Sequence, residues 1–455
     1  MEKGKDAKPG DLIRIKTAKE EINGRMIESY EAGIVLIKLE SGYNIGVNRD
    51  NILDIKVIKK VEDKSEKNES GEENEAKGKK GNEKKEGNKF ELSHKKSIID
   101  LIITGGTLSS SLDVKTGGVK FLTTPENLFK FYPDIFELDD IRIINPFMTW
   151  SENMDSSHWL KIAKLVAKSL NDESVKGVIV THGTDFLHYT SAALSFMLKN
   201  LNKPVALTYS QRSTDRASSD AELNLYCAAK YALSDIAEVA LVGHANSDDD
   251  YCYALQGNKC RKMHSSRRDA FKPINTSPIA KVYKDRIEVL RDYNKRKTGK
   301  EMNGKKVECE DYFEDKVALI KFYPGQDPEI LNYYFKQGYK GVVIEMTGLG
   351  HVLTEGARNW IPILKELIEK GFVVCAACQT IYGSLNPSVY EAGRRLEKTG
   401  VIYLRDMLSE AALVKLGYVL GMLKEKKIKK EQVKDIMLEN IAGEFNERLG
   451  EEFIC

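Results

Sequence analysis

Two apolar runs in this chain stop in the same way. Ile98-Ile99-Asp100-Leu101-Ile102-Ile103 runs into Thr104-Gly105-Gly106-Thr107, and Gly177-Val178-Ile179-Val180 runs into Thr181-His182-Gly183-Thr184-Asp185. Short runs this apolar, broken at glycine, read as strands buried on both faces, the habit of a parallel sheet covered by helices. The chain must then supply crossover helices. Any ligand is expected at the carboxyl ends of the strands, where both threonines fall.

The pattern from residue 96 supplies those helices. Trp159, Ile162, Ala163, Val166, Ala167 and Leu170 recur at three and four, one face of a helix. Val205-Ala206-Leu207-Thr208 and Val239-Ala240-Leu241-Val242 are further strands, with a helix from Ala221 to Leu233 between them. This βαβ rhythm assigns residues 96–295 to one α/β domain. A charged stretch from Lys295 to Glu310 marks its end, so residues 296–312 read as a linker. Residues 313–455 form a smaller α/β domain, with strands at Val317-Ala318-Leu319-Ile320, Gly341-Val342-Val343-Ile344 and Phe372-Val373-Val374, and helix from Ser409 onward.

Ahead of this body, residues 1–60 hold short strands at close spacing: Leu12-Ile13-Arg14-Ile15, Gly33-Ile34-Val35-Leu36-Ile37-Lys38-Leu39 and Ile52-Leu53-Asp54-Ile55-Lys56-Val57-Ile58. With no helical period among them, they predict a small β-barrel. Residues 61–95 read as a charged flexible linker, because Glu, Lys, Asn, Gly and Ser dominate from Glu62 to Lys89 and leave almost nothing to bury. A partly helical charged spacer is the other reading.

Bulk numbers exclude little. The 70 Lys+Arg nearly cancel the 68 Asp+Glu, so net charge argues neither for nor against nucleic acid. No apolar run approaches the ~18 residues of a membrane span. Met1-Glu2-Lys3-Gly4-Lys5-Asp6 lacks the apolar core of a signal peptide, so a cytoplasmic protein is expected. The 7 cysteines are odd in number and scattered. Cys375-Ala376-Ala377-Cys378 has redox or metal spacing but no companion pair, and reads as core thiols. No Cys/His cluster predicts a metal, and no Gly-x-x-x-x-Gly-Lys-Ser/Thr loop predicts ATP.

Chemistry is sought first at the strand ends. Gly105-Gly106 permits a close ligand approach and presents the hydroxyl of Thr107; a phosphate-binding or merely tight turn is the plainer reading. Thr184 needs a base to activate it or a water, and Asp185 at an ordinary pKa near ~4 is a poor one. A lysine held neutral by its surroundings would serve, with Asp185 positioning it. Alternatively Thr184 caps a helix starting near Phe186 and Asp185 favours its dipole. Cys260-Arg261-Lys262-Met263-His264-Ser265-Ser266-Arg267-Arg268 is, by composition, a solvated or anion-binding basic loop.

These motifs resemble, in order from residue 96 to the end, the bacterial-type L-asparaginase and glutaminase family. The match runs through Thr104-Gly105-Gly106-Thr107, Met154-Asp155-Ser156-Ser157, Thr181-His182-Gly183-Thr184-Asp185, and Lys262 followed by Asp269-Ala270-Phe271. It continues in Tyr390-Glu391-Ala392-Gly393-Arg394 and Ser409-Glu410-Ala411-Ala412-Leu413-Val414-Lys415. The resemblance implies a two-domain asparaginase-like body. It also implies Thr107 as nucleophile on a side-chain amide, and a proton relay of Thr184, Lys262 and Asp185. Ser156, with Asp155 and Gly183, is implied to bind substrate. Family members often carry a tyrosine in the mobile loop after the first threonine, whereas Ser109-Ser110-Ser111-Leu112-Asp113-Val114-Lys115-Thr116-Gly117-Gly118-Val119 has none. The resemblance therefore leaves the acceptor of the Thr107 proton unassigned, although the loop glycines suit a lid.

The leading barrel, Ser265-Ser266-Arg267-Arg268-Asp269-Ala270-Phe271 and Asn440-Ile441-Ala442-Gly443-Glu444-Phe445-Asn446-Glu447-Arg448 narrow the resemblance to the D subunits of archaeal glutamyl-tRNA(Gln) amidotransferases. That family implies ammonia release from glutamine or asparagine. It implies a partner, the E subunit, that uses ATP and Mg2+ to amidate Glu-tRNA(Gln). The implied complex holds two D and two E subunits, with the D subunits paired through their asparaginase-like bodies. The family implies no cofactor on this chain. A stand-alone asparaginase with an accessory barrel and a non-enzymatic binding module are the competing readings.

Overall fold

The computed structural model describes residues 7–27, 33–39, 44–60, 98–106, 108, 110–112, 119–121, 134–213, 218–297 and 301–450. The expectations for Thr107, for residues 61–95 and for most of the loop after Thr107 lie outside the described residues.

The chain divides into two compact units. The N-terminal one is a five-stranded antiparallel sheet of β1 (Leu12–Thr17), β2 (Glu21–Ile27), β3 (Ile34–Lys38), β4 (Asn44–Asn48) and β5 (Ile52–Lys59), in the order β4-β3-β2-β1-β5. Along β1 the buried Ile13 and Ile15 alternate with the exposed Arg14 and Lys16, the period of a half-buried strand. Ile13, Ile15, Val35, Ile37, Val47 and Ile52 form the core of this sheet. Two of its strands lack the apolar run that marks the others. β2 carries Asn23-Gly24 and β4 carries Asn44, Gly46 and Asn48, residues poor in β-propensity, and pairing with β1 and β3 overrides that preference.

The larger unit holds two main sheets. The first is built from β6 (Ile98–Ile103), β7 (Asp140–Ile144), β8 (Val175–Thr181), β9 (Val205–Thr208), β10 (Val239–His244) and β11 (Tyr251–Gln256), joined further on by β14 (Ala280–Tyr283) and β15 (Ile287–Val289). Their order is β15-β14-β11-β10-β9-β8-β6-β7, parallel from β7 to β10 and antiparallel beyond. A separate hairpin of β12 (Cys260–Lys262) and β13 (Phe271–Pro273) pairs Lys262 with Phe271. Helices α1 (Ser156–Leu170), α2 (Leu187–Met197) and α3 (Ala221–Leu233) follow β7, β8 and β9. On α1, Ile162, Ala163, Val166, Ala167 and Leu170 face the core as their spacing predicts.

The second sheet is parallel: β16 (Val317–Lys321), β17 (Gly341–Met346), β18 (Val373–Cys378) and β19 (Ile402–Tyr403). Helices α4 (Glu329–Lys336), α5 (Ile361–Glu369) and α6 (Glu391–Glu397) lie between these strands, and α7 (Ser409–Lys424) and α8 (Val433–Leu438) follow them. Cys375 and Cys378 are buried in β18, and burial pushes the Cys375 thiol up to about 12. One apolar core runs through both sheets, with Phe196 of α2 stacked on Tyr418 of α7 at 6.5 Å between ring centroids.

The charged stretch after residue 300 is tied down. Glu308–Cys309 pairs with Leu198–Lys199, and Val307 exchanges two hydrogen bonds with the side chain of Asn171. The C-terminal segment is tied just as firmly. The fully buried Lys415 ammonium meets the fully buried Glu444 carboxylate and also donates to the carbonyls of Met437 and Glu439.

Candidate active site

Strands β6 and β8 lie side by side in parallel register, with Ile103 opposite Thr181. Their exits are stitched together, because the Thr104 hydroxyl donates to the Thr181 carbonyl at 2.7 Å. Gly105 and Gly106 then take φ of +122° and +83°. A Cβ on Gly106 would sit 2.5 Å from the Gly183 nitrogen, and one on Gly105 would sit 2.3 Å from the Thr149 carbonyl oxygen. Only glycine fits where one strand-end turn touches the next. The two motifs singled out in the sequence therefore share one locus, up to Gly106; Thr107 itself is outside the described residues.

Across from this contact the Lys262 Nζ donates to Thr184 Oγ1 and to Asp185 Oδ1, each at 2.8 Å. The hairpin delivers Lys262 from 77 and 78 residues away in sequence. The Thr184 hydroxyl is buried, the Lys262 side chain is 11% exposed and the Asp185 side chain 60% exposed. The trio therefore has one open side, on the carboxylate. Thr184 does not cap the following helix: α2 begins at Leu187 behind Phe186, without a side-chain cap. Its oxygen instead accepts from the Lys262 amine.

Two histidines line the buried side. The His182 ring donates from Nδ1 to the Gly183 carbonyl at 2.7 Å, which fixes the tautomer, so Nε2 accepts the Thr190 hydroxyl at 2.8 Å. Burial lowers its pKa to about 4. Burial lowers His188 to about 3, and the nearby charges of Arg261 and Lys262 add to the effect. Both rings are neutral near pH 7.

Ser156 and Asp155, expected at the substrate, have other partners. The Ser156 hydroxyl donates to the Asp315 carboxylate at the edge of the second sheet. Asp155 is the N-cap of α1, accepting the Ser157 N–H at 3.1 Å and the Ser157 hydroxyl at 2.6 Å, and the hydroxyl bond leads the effects that lower its pKa. The serine at the strand ends is Ser151: 2% exposed, it lies where a Cβ on Gly183 would meet its Oγ at 2.8 Å. It sits in a single 3-10 turn, Ser151–Asn153, where no periodicity points to it.

Comparison with known proteins places these elements. Residues 98–295 match the family described as "Asparaginase, N-terminal", residues 316–437 the "Glutaminase/Asparaginase C-terminal domain", and residues 7–58 the "GatD N-terminal domain". The chain is 43% identical over 453 residues to a protein of Pyrococcus furiosus named as the D subunit of glutamyl-tRNA(Gln) amidotransferase, covering 97% of this chain and 96% of that one. A protein of the same name from Methanothermobacter thermautotrophicus is 38% identical over 444 residues, 96% of this chain and 94% of that one. Among solved structures, the thermostable L-asparaginase from Thermococcus kodakarensis superposes with a TM-score of 0.67 at 28% identity, over 77% of this chain and 100% of that one. L-asparaginase I from Vibrio cholerae gives 0.65 at 27% identity, over 77% and 99%.

Proposed function

The chain belongs to the family of D subunits of glutamyl-tRNA(Gln) amidotransferase, and on that premise we propose that it is the glutaminase component of a tRNA-dependent amidotransferase. It hydrolyses the side-chain amide of glutamine, or of asparagine, to the acid and ammonia. A partner, the E subunit, takes up the ammonia and uses ATP and Mg2+ to turn Glu-tRNA(Gln) into Gln-tRNA(Gln).

The observation that carries this reading is the Lys262 Nζ bridging Thr184 Oγ1 and Asp185 Oδ1. In the proposed chemistry the Thr107 hydroxyl attacks the amide carbon. The C–N bond breaks, ammonia leaves carrying the proton given up by the Thr107 hydroxyl, and an acyl ester on Thr107 remains. Water then adds to that ester, giving up a proton through Thr184 to the Lys262 amine, and that proton passes back to the Thr107 oxygen as the ester C–O bond breaks and the acid is released. Asp185 holds the lysine amine against Thr184 throughout. The glycine contact at Gly106 and Gly183 supports the same site, since it lets substrate reach both strand ends without a side chain intervening.

Two copies of this chain pair through the asparaginase-like body and join two copies of the E subunit. The exposed Tyr323, Tyr382, Val389 and Tyr390, all in segments that follow strands of the second sheet, support a face that meets another chain. ATP and Mg2+ belong to the partner. A cytoplasmic, reducing location accords with the six free cysteines among the described residues. No helix among the described residues is long and apolar enough to cross a membrane.

The test is reconstitution. The full chain with the E subunit is assayed for ammonia release from glutamine, with and without Glu-tRNA(Gln). Stimulation by the tRNA, with a loss of ~10²-fold or more in Lys262→Ala, is the expected result. Full turnover by the isolated chain without tRNA would instead mark a free-standing amidohydrolase.

A further inference from the structure

Lys262 ends a strand of only three residues, so the hairpin alone does little to fix it. Residues alternate across a strand, which puts Arg261 on the face opposite Lys262, and Lys259 sits in the bend just before the strand. Lys259 and Arg261 both reach into the second α/β domain. The Lys259 Nζ lies 2.7 Å from Asp406 Oδ2, with each side chain 2% exposed. The Arg261 Nε lies 3.1 Å from Glu410 Oε1. Asp406 lies in the turn just before α7 and Glu410 in its first turn, so two cations two residues apart meet two carboxylates four residues apart at the entrance to that helix. Asp406 is itself held from behind, and Glu410 sits beside a serine. Asp406 accepts the Asn446 N–H at 3.2 Å, and the Ser409 hydroxyl lies 3.2 Å from Glu410 Oε2 while donating to Glu345 at 2.6 Å.

We propose that Lys259–Asp406 and Arg261–Glu410 are positioning pairs, through which the second domain sets the height and twist of the Lys262 strand and so holds its Nζ against Thr184 and Asp185. The inference rests on the reading of Lys262 as the proton acceptor. It gives the second domain a part in catalysis although neither carboxylate touches the reacting atoms. A displacement of ~1 Å at a catalytic group is enough to cost up to ~10²-fold in rate, so a loosened strand shows itself in turnover before it shows in binding.

The experiment uses the full chain in complex with its E partner, in the presence of Glu-tRNA(Gln), reading ammonia release from glutamine. Glu410→Gln and Arg261→Gln should each lower kcat about tenfold while the KM for glutamine stays within twofold. Their double variant should lose no more than the worse single one, because the pair acts as a unit. Placed on Lys262→Ala, either change should cost nothing further. Arg261→Lys, which keeps the charge, should recover part of kcat and serves if Arg261→Gln fails to fold. Unchanged kcat in Glu410→Gln and Arg261→Gln, with Lys262→Ala still inactive, would overturn the positioning role alone. Full activity in Lys262→Ala would overturn the reading beneath it.

Discussion

Lowering the pH from 7 to 5 should destabilise the larger unit through two histidines that have to stay neutral. Burial holds His182 at about 4 and His188 at about 3 when folded, against an ordinary value of 6.5. The unfolded chain therefore takes up protons that the folded chain refuses. Stability is complete above 6.5 and is lost as the pH falls toward 4 for His182 and toward 3 for His188. The slope is ~1.4 kcal/mol per pH unit for each ring, so the fall to pH 5 costs about 2 kcal/mol per histidine. Since both folded values lie below 5, that loss is set almost wholly by the unfolded value. Urea unfolding at pH 7 and pH 5, followed by circular dichroism, measures it. His182→Asn keeps an amide donor near the position of Nδ1, and His188→Gln removes a ring whose Nδ1 is buried without a partner. Each variant should shrink the pH 7-to-5 difference by about 2 kcal/mol. A difference that stays within ~0.5 kcal/mol of the wild-type one in both would refute the assignment of neutral buried rings.

Gly106→Ala combines an unfavourable φ with a Cβ 2.5 Å from the Gly183 backbone; it should cost about 2–4 kcal/mol, read as a fall in thermal midpoint, and amide turnover should fall with it. Lys415→Met leaves the Glu444 carboxylate buried without its cation and should cost about 3–5 kcal/mol in urea unfolding. Ser156→Ala should leave the KM for glutamine within twofold and cost about 1 kcal/mol, because its hydroxyl serves Asp315. A several-fold rise in KM would return Ser156 to the substrate.

The parallel strands were legible because burial on both faces leaves a continuous apolar run: β6 and β8 lie where Ile98 to Ile103 and Val178 to Val180 place them. Helix α3 spans Ala221 to Leu233, the stretch its composition marks out. Strands β2 and β4 were not legible, since what makes them strands is the neighbour they pair with. The trio of Thr184, Asp185 and Lys262 was only half visible. Asp185 follows Thr184 in the chain, whereas Lys262 stands among three arginines, and only the family pattern chose it. Ser151 and Ser156 sit five residues apart in one polar stretch, and which of them faces the strand ends is decided by the 3-10 turn. The Arg261–Glu410 contact spans 149 residues and depends on how two domains dock, which no local pattern encodes.

The buried pair of Lys415 and Glu444 also has a consequence for biosynthesis. Lys415 lies in α7, but the carboxylate that neutralises it is made 29 residues later. Until that stretch has been translated, seating α7 against the second sheet and α2 would bury a bare ammonium, a costly state for a nascent chain. The body can collapse while it emerges, since domains fold as units during synthesis. Its core closes only when the segment carrying Glu444 arrives, so a product truncated before Glu444 would remain an open substrate for quality-control proteases.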